Sequence, residues 1–166
     1  MCSRLSTLAI VLLLTVGPVA AQLDGLEQIS SLVRVGRFGL VVDVEATASL
    51  TANPALDASS LRPLLADRIA AVSGRRPSMD PLETGYPYVY VHINAIDVAD
   101  GLVPFAVNAS FIQEGRLASG GGPINMTTWE SGSVGLVSHD RIPAIAETAL
   151  GLVEEFAGDL LMAGDG

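Results

Sequence analysis

Three groups of side chains in this sequence are of types that do chemistry, and each implies a different reaction. "SGSVG" at Ser131–Gly135, followed by His139 and Asp140, sets a hydroxyl, an imidazole and a carboxylate close together in the chain, the set that acyl transfer by a serine hydrolase requires. The motif departs from a nucleophile elbow at its first position, where serine stands in place of glycine. An elbow also turns from a strand directly into a helix, whereas here the apolar pattern continues as strand through Val137. Neighbours in sequence such as His139 and Asp140 are poorly placed to orient each other. The spacing therefore predicts a bent strand, with a small hydrolase using Ser133 and His139 as the alternative.

The second group could hold a metal or cleave a sugar. His92, His139, Asp97, Asp100 and Glu130 offer ligand atoms, but no pair has the helical or hairpin spacing of a zinc site. Asp97 and Asp100 read more simply as turn residues that bond their own backbone. Asp43, Glu45 and Glu130 supply carboxylates, yet glycoside hydrolysis needs two of them across a cleft. No catalytic residue, no metal and no cofactor is expected.

The third group is aromatic and polar. In "YPYVYVHINA", Tyr86, Tyr88, Tyr90, His92 and Asn94 alternate with Val89, Val91 and Ile93, so a strand here turns the two sets to opposite faces. Asn108 and Ser110 fall on the matching side of the next strand. Tyrosine offers large contact area at low entropic cost and is favoured at interfaces. The row predicts a binding surface made of Tyr86, Tyr88, Tyr90, His92, Asn94 and Asn108, with Trp129 either joining it or sealing one end of the core. A histidine there would gain charge near pH ~6 and make the contact pH-sensitive. The structural alternative folds the Thr47–Ala58 segment or a terminal segment over the row. A small-ligand-binding protein is a further alternative.

The elements that must position these residues follow from apolar periodicity. Ser31–Glu45 reads as a first strand, with Leu40, Val42 and Val44 alternating against Val41, Asp43 and Glu45. Ser59 or Ser60 is expected to cap a helix with Pro63 in its first turn. Leu61, Leu65, Ile69 and Val72 stripe that helix and Gly74 ends it. Two strands joined at Asp100-Gly101 come next, the second placing Val103, Phe105, Val107, Ala109 and Phe111 on one face. After Gly120–Pro123, Met126–Val137 forms a fourth strand bent or bulged at its glycines. Asp140 is expected to cap a last helix, with Ile142, Ile145, Ala149, Leu152, Val153, Phe156 and Leu160 inward and Glu147, Glu154 and Asp159 outward. The order β-α-β-β-β-α predicts an α+β two-layer sandwich, a mostly antiparallel four-stranded sheet with two helices on one face.

The first residues predict an address. Arg4 precedes an apolar run from Leu8 to Val16, and Val19, Ala20 and Ala21 place small residues where a signal peptidase cuts, so cleavage before Gln22 is expected. The run falls short of the ~20 residues that span a bilayer. Processing leaves 166 − 21 = 145 residues, read as one domain over 22–163 with a short tail at 164–166. The one cysteine, Cys2, leaves with the leader, so neither disulfide nor thiolate ligand is expected.

All nine basic residues are arginine, which beside abundant alanine and glycine suggests a GC-rich bacterial gene. Without Arg4 the formal charge is 8 − 18 = −10. No basic stripe exists to meet phosphates, which argues against nucleic acid and anionic membrane surfaces as partners.

"YPYVYVHIN", "TTWESGSVGLVS" and "VEEFAGDLL" together resemble a group of small uncharacterised exported bacterial proteins. Those carry a "P-Y-L-Y-V-x-V-N"-like strand, a "T-W-x-x-G-x-x-G" segment and a terminal helix of the "V-x-x-F-x-x-x-Y-L" kind. Thr128, Trp129, Gly132 and Gly135 carry the most specific part of the likeness. "VSGRRP" departs from the usual "A-G-I" strand entry, which bears on where the first helix ends. The resemblance implies architecture and export and brings no mechanism. Its layout is also similar to small periplasmic accessory domains of envelope machines. The expectation is a periplasmic or secreted, non-catalytic binding or accessory protein that contacts an envelope partner or a second copy through its tyrosine-rich face.

Overall fold

The strand that carries the tyrosine row, β2 (Tyr88–Ala95), alternates half-buried and buried residues without exception, as its period of two requires. Around it, the computed structural model describes residues 19–80 and 87–164. The elements run α1 (Val19–Ser31), β1 (Gly39–Ala46), α2 (Ala58–Ser73), β2, β3 (Leu102–Gly115), β4 (Ile124–Ser138) and α3 (Pro143–Gly164). The four strands form one sheet in the order β1-β2-β3-β4. β1 pairs with β2 in parallel across the α2 crossover, and the other two pairings are antiparallel. The α+β sandwich with a mostly antiparallel sheet is the observed fold. Tyr86 and the first eighteen residues of the expected leader lie outside the described residues.

α2 and α3 pack on each other and cover one sheet face. That face contributes Leu40 and Val42, Val89, Val91 and Ile93, Val107, Ala109 and Phe111, and Trp129, all buried against Leu61, Leu65 and Ile69 of α2 and Ile145, Val153, Phe156 and Leu160 of α3. Leu50 and Leu56, from the segment between β1 and α2, join the same core. That segment therefore packs into the core and is not a cover for the tyrosine row. Burying each such leucine stabilises the fold by about 1.5–3 kcal/mol relative to leaving it exposed.

Several expectations need correction. The first strand starts at Gly39, not at Ser31. Leu32, Val35 and Phe38 are all buried but spaced by three, which no strand can turn to one face, and Arg34 between them takes a left-handed φ of 63°. The residues before them form α1, an element additional to the expected order. The cap of α2 is Asp57, whose Oδ2 accepts the Ser60 N–H at 2.9 Å and the hydroxyl of Ser59 at 2.7 Å. A carboxylate with two hydroxyls to hold it outcompetes either serine as the acceptor. This earlier start puts Pro63 inside the helix, beyond its first turn. Gly74 ends α2 as expected, at φ 69° with its N–H on Ala70 O.

In β4 the irregularity falls at Thr128, not at the glycines. Phe111 pairs with Trp129 but Ile112 pairs with Thr127, which leaves Thr128 as the extra residue. Gly135 serves packing instead: a Cβ there would stand 2.6 Å from the Phe105 ring. Asp140 does not cap the last helix. It sits in a short turn, His139–Arg141, and its carboxylate accepts the Ser138 hydroxyl.

α1 lies along the outer edge of β4. The Glu130 N–H donates to Gln28 Oε1 at 3.1 Å, and the Ser31 hydroxyl donates to Thr128 O at 2.9 Å. Gln113 Nε2 donates to Ser31 O at 3.1 Å, tying the end of α1 to β3 as well. No helix among the described residues is long and apolar enough to cross a membrane.

Candidate functional site on the open sheet face

Alternation dictates what the uncovered face presents. With Val89, Val91 and Ile93 inward, Tyr88, Tyr90, His92 and Asn94 point the other way, and all four are half-buried. The antiparallel register sets Asn108 opposite His92 and Ser110 opposite Tyr90. The parallel register adds two residues: Asp43 stands opposite His92 and Glu45 opposite Asn94. The expected row thus becomes a polar band across all four strands, ending at Glu130 on β4.

Hydrogen bonds lace the band. The Tyr90 hydroxyl donates to Asp43 Oδ2 at 3.1 Å, and Asn94 Nδ2 to Glu45 Oε2 at 3.3 Å. Ser110 donates to Asn108 Oδ1 at 2.7 Å, and Asn108 Nδ2 to Glu130 Oε1 at 2.8 Å. The rings of Tyr90 and His92 lie nearly parallel, 6.0 Å apart between centroids. Desolvation first, and then the bond to Asp43, raises the Tyr90 phenol above its ordinary pKa, so it remains a neutral donor.

Next to the band, the same face turns aliphatic. Pro104 pairs with Leu136 and Ala106 with Val134, and these β4 side chains stand well into solvent, Val134 at 83% and Leu136 at 59% exposed. Leu102, Ile96 and Val98 are exposed beside them.

Trp129 is not part of this surface. It is 2% exposed on the helix-covered face, packed edge-on against Phe156 at 5.2 Å, and its indole N–H donates to Asp159 Oδ2 at 2.8 Å. The indole seals the core, and Asp159 is half-buried to receive its proton, not outward as the helix pattern predicts.

The hydrolase constellation does not assemble. Ser133 lies on the helix-covered side of β4, opposite Val107. His139 sits beyond the strand end with Nε2 2.8 Å from Asp97 Oδ1, while Asp97 Oδ2 accepts the Ser49 hydroxyl at 2.5 Å. This carboxylate, pulled below its usual pKa chiefly by Ser49 and then by His139, stitches three loops together. A cleft of about 610 Å³ lies elsewhere, beside Phe38 and Arg75. The Arg75 guanidinium is already spent on the carbonyls of Val35 and Gly36.

The class of protein that the fold defines is a small α+β sandwich in which, among the described residues, one sheet face is left uncovered by helices. No protein-family model matches the chain, and neither does any curated relative. Among solved structures it is similar to a PelC dodecamer from Paraburkholderia phytofirmans, at 14% identity and a TM-score of 0.44, covering 78% of this chain and 90% of that one.

Proposed function

We propose that the chain is an exported, non-catalytic binding protein of the bacterial cell envelope, which contacts a protein partner, or a second copy of itself, through its open sheet face. The observation that carries this reading is the pairing of exposed Val134 and Leu136 with the adjoining polar band on a face that neither α2 nor α3 covers. Interfaces combine an apolar centre with a polar, hydrogen-bonding rim, and this face holds both side by side. Export is supported by the leader-like pattern before Gln22. The absence of catalysis is supported by the separate engagement of Ser133 and His139.

The test is association of the purified protein, alone and with envelope extract, measured by light scattering and by affinity capture. Val134→Asp with Leu136→Asp is expected to abolish the contact and leave the fold intact. Unchanged association by this variant sinks the reading.

A further inference from the structure

Asp43, Glu45 and His92 lie far apart in sequence, and only the parallel pairing of β1 with β2 gathers them. One ligand atom from each lies within 4.8 Å of the other two. The His92 side chain is 32% exposed overall, yet its Nε2 atom is shut off from solvent and has no hydrogen-bond partner among the described residues. The nearest carboxylate oxygen, Glu45 Oε2, is 3.7 Å away, too far to serve as one. A buried ring nitrogen without a hydrogen-bond partner carries a desolvation cost. The two carboxylates are like charges on one face, and none of the four strands contains a lysine or an arginine. A cation between the three groups would answer both deficits at once.

We propose that Asp43, Glu45 and His92 form a binding site for one divalent transition-metal ion of the zinc class, held by one oxygen of each carboxylate and by His92 Nε2. Imidazole among the ligands selects zinc-like ions over magnesium or calcium, which prefer all-oxygen shells. Tetrahedral coordination at about 2.0–2.1 Å sets ligand atoms about 3.4 Å apart, close to the separation of Glu45 Oε2 from His92 Nε2 and reachable by small side-chain rotations for the third. Around this shell, the Tyr90 hydroxyl steadies Asp43 and the Asn94 amide steadies Glu45, as outer partners do for metal ligands. Three protein ligands leave a coordination position open on the bare face. The site does not depend on the partner reading, since its ligands all come from this chain.

The experiment titrates the tag-free protein with Zn²⁺, followed by calorimetry and by the imidazole NMR resonances of both histidines. Expected are one equivalent bound, a raised Tm, and a shift confined to His92. His92→Ala should weaken binding at least about tenfold, as should Asp43→Asn with Glu45→Gln, a nearly isosteric change that decides the matter if the first variant fails to fold. His139→Ala should bind as the parent does, and Mg²⁺ should not compete. No saturable binding up to millimolar Zn²⁺, binding unchanged in the site variants, binding lost in His139→Ala, or equal affinity for Mg²⁺ would each overturn the proposal.

Discussion

The indole N–H of Trp129 donates to Asp159 Oδ2 at 2.8 Å, and this bond ties the outermost strand to the last helix. Trp129→Phe keeps much of the packing against Phe156 but leaves the half-buried carboxylate without its donor. A loss of about 1–3 kcal/mol is expected from the orphaned acceptor, against about 3–5 kcal/mol for Trp129→Ala, which also opens a cavity. Chemical denaturation of the two variants measures both, and a Trp129→Phe variant as stable as the parent would show that the bond contributes nothing.

Gly135 is kept bare by the Phe105 ring across the strand pair. Gly135→Ala should destabilise by about 1–3 kcal/mol through overpacking. Combined with Phe105→Leu the added cost should shrink, a coupling that a double-mutant cycle reads directly. Gly151, in α3 with nothing near its missing side chain, should respond oppositely: Gly151→Ala is expected to stabilise by about 0.5–1 kcal/mol.

Acid should loosen α2 first at its cap. The hydroxyls of Ser60 and Ser59 hold the Asp57 carboxyl down to about 2, from an ordinary value of 3.8. A carboxyl depressed in the folded state binds its proton more readily when unfolded. Its contribution is therefore complete above the ordinary value and is lost as pH falls from there toward about 2. Asp57→Ala should lower Tm at neutral pH, and its deficit relative to the parent should narrow at the acid end of that window. Thermal melts across the range check the trend, and a deficit independent of pH would remove the carboxylate from the explanation.

For the open face, Val134→Asp with Leu136→Asp should change stability by no more than about 0.5 kcal/mol, because both side chains already meet water. Binding should nevertheless disappear. A large loss of stability would instead mean that these residues are packed.

The sequence and the structure agree where periodicity is local. The two-residue alternation of β2 and β3 foretells which side Val89, Ile93, Val107 and Phe111 take, and the stripe Leu61–Leu65–Ile69 foretells α2. Tyr90, His92, Asn94 and Asn108 sharing a face is legible for the same reason. That Asp43 and Glu45 join them is not, because strand order and parallel register arise from the crossover and leave no mark on either strand alone. β4 misleads outright. From Trp129 onward its inward set is Trp129, Ser131, Ser133, Gly135 and Val137, while aliphatic Val134 and Leu136 face out. Alternation read without the neighbouring strand inverts its two faces. The side of Trp129 is settled by its opposition to Phe111. α1 ends where apolar residues change spacing to three, a pattern that neither a strand nor a regular helix predicts.

The contacts of α1 along β4 have a directional consequence. Gln28 occupies the outward N–H of Glu130 and Ser31 the carbonyl of Thr128, so that stretch of the sheet margin is already spoken for. Beyond it lies Ser131–Ser138, the half of β4 that displays Val134 and Leu136, where an incoming strand from another molecule could extend the sheet. The β4 margin is thus a one-sided socket, and two copies meeting along Ser131–Ser138 would have to approach antiparallel, each offering that short length to the other.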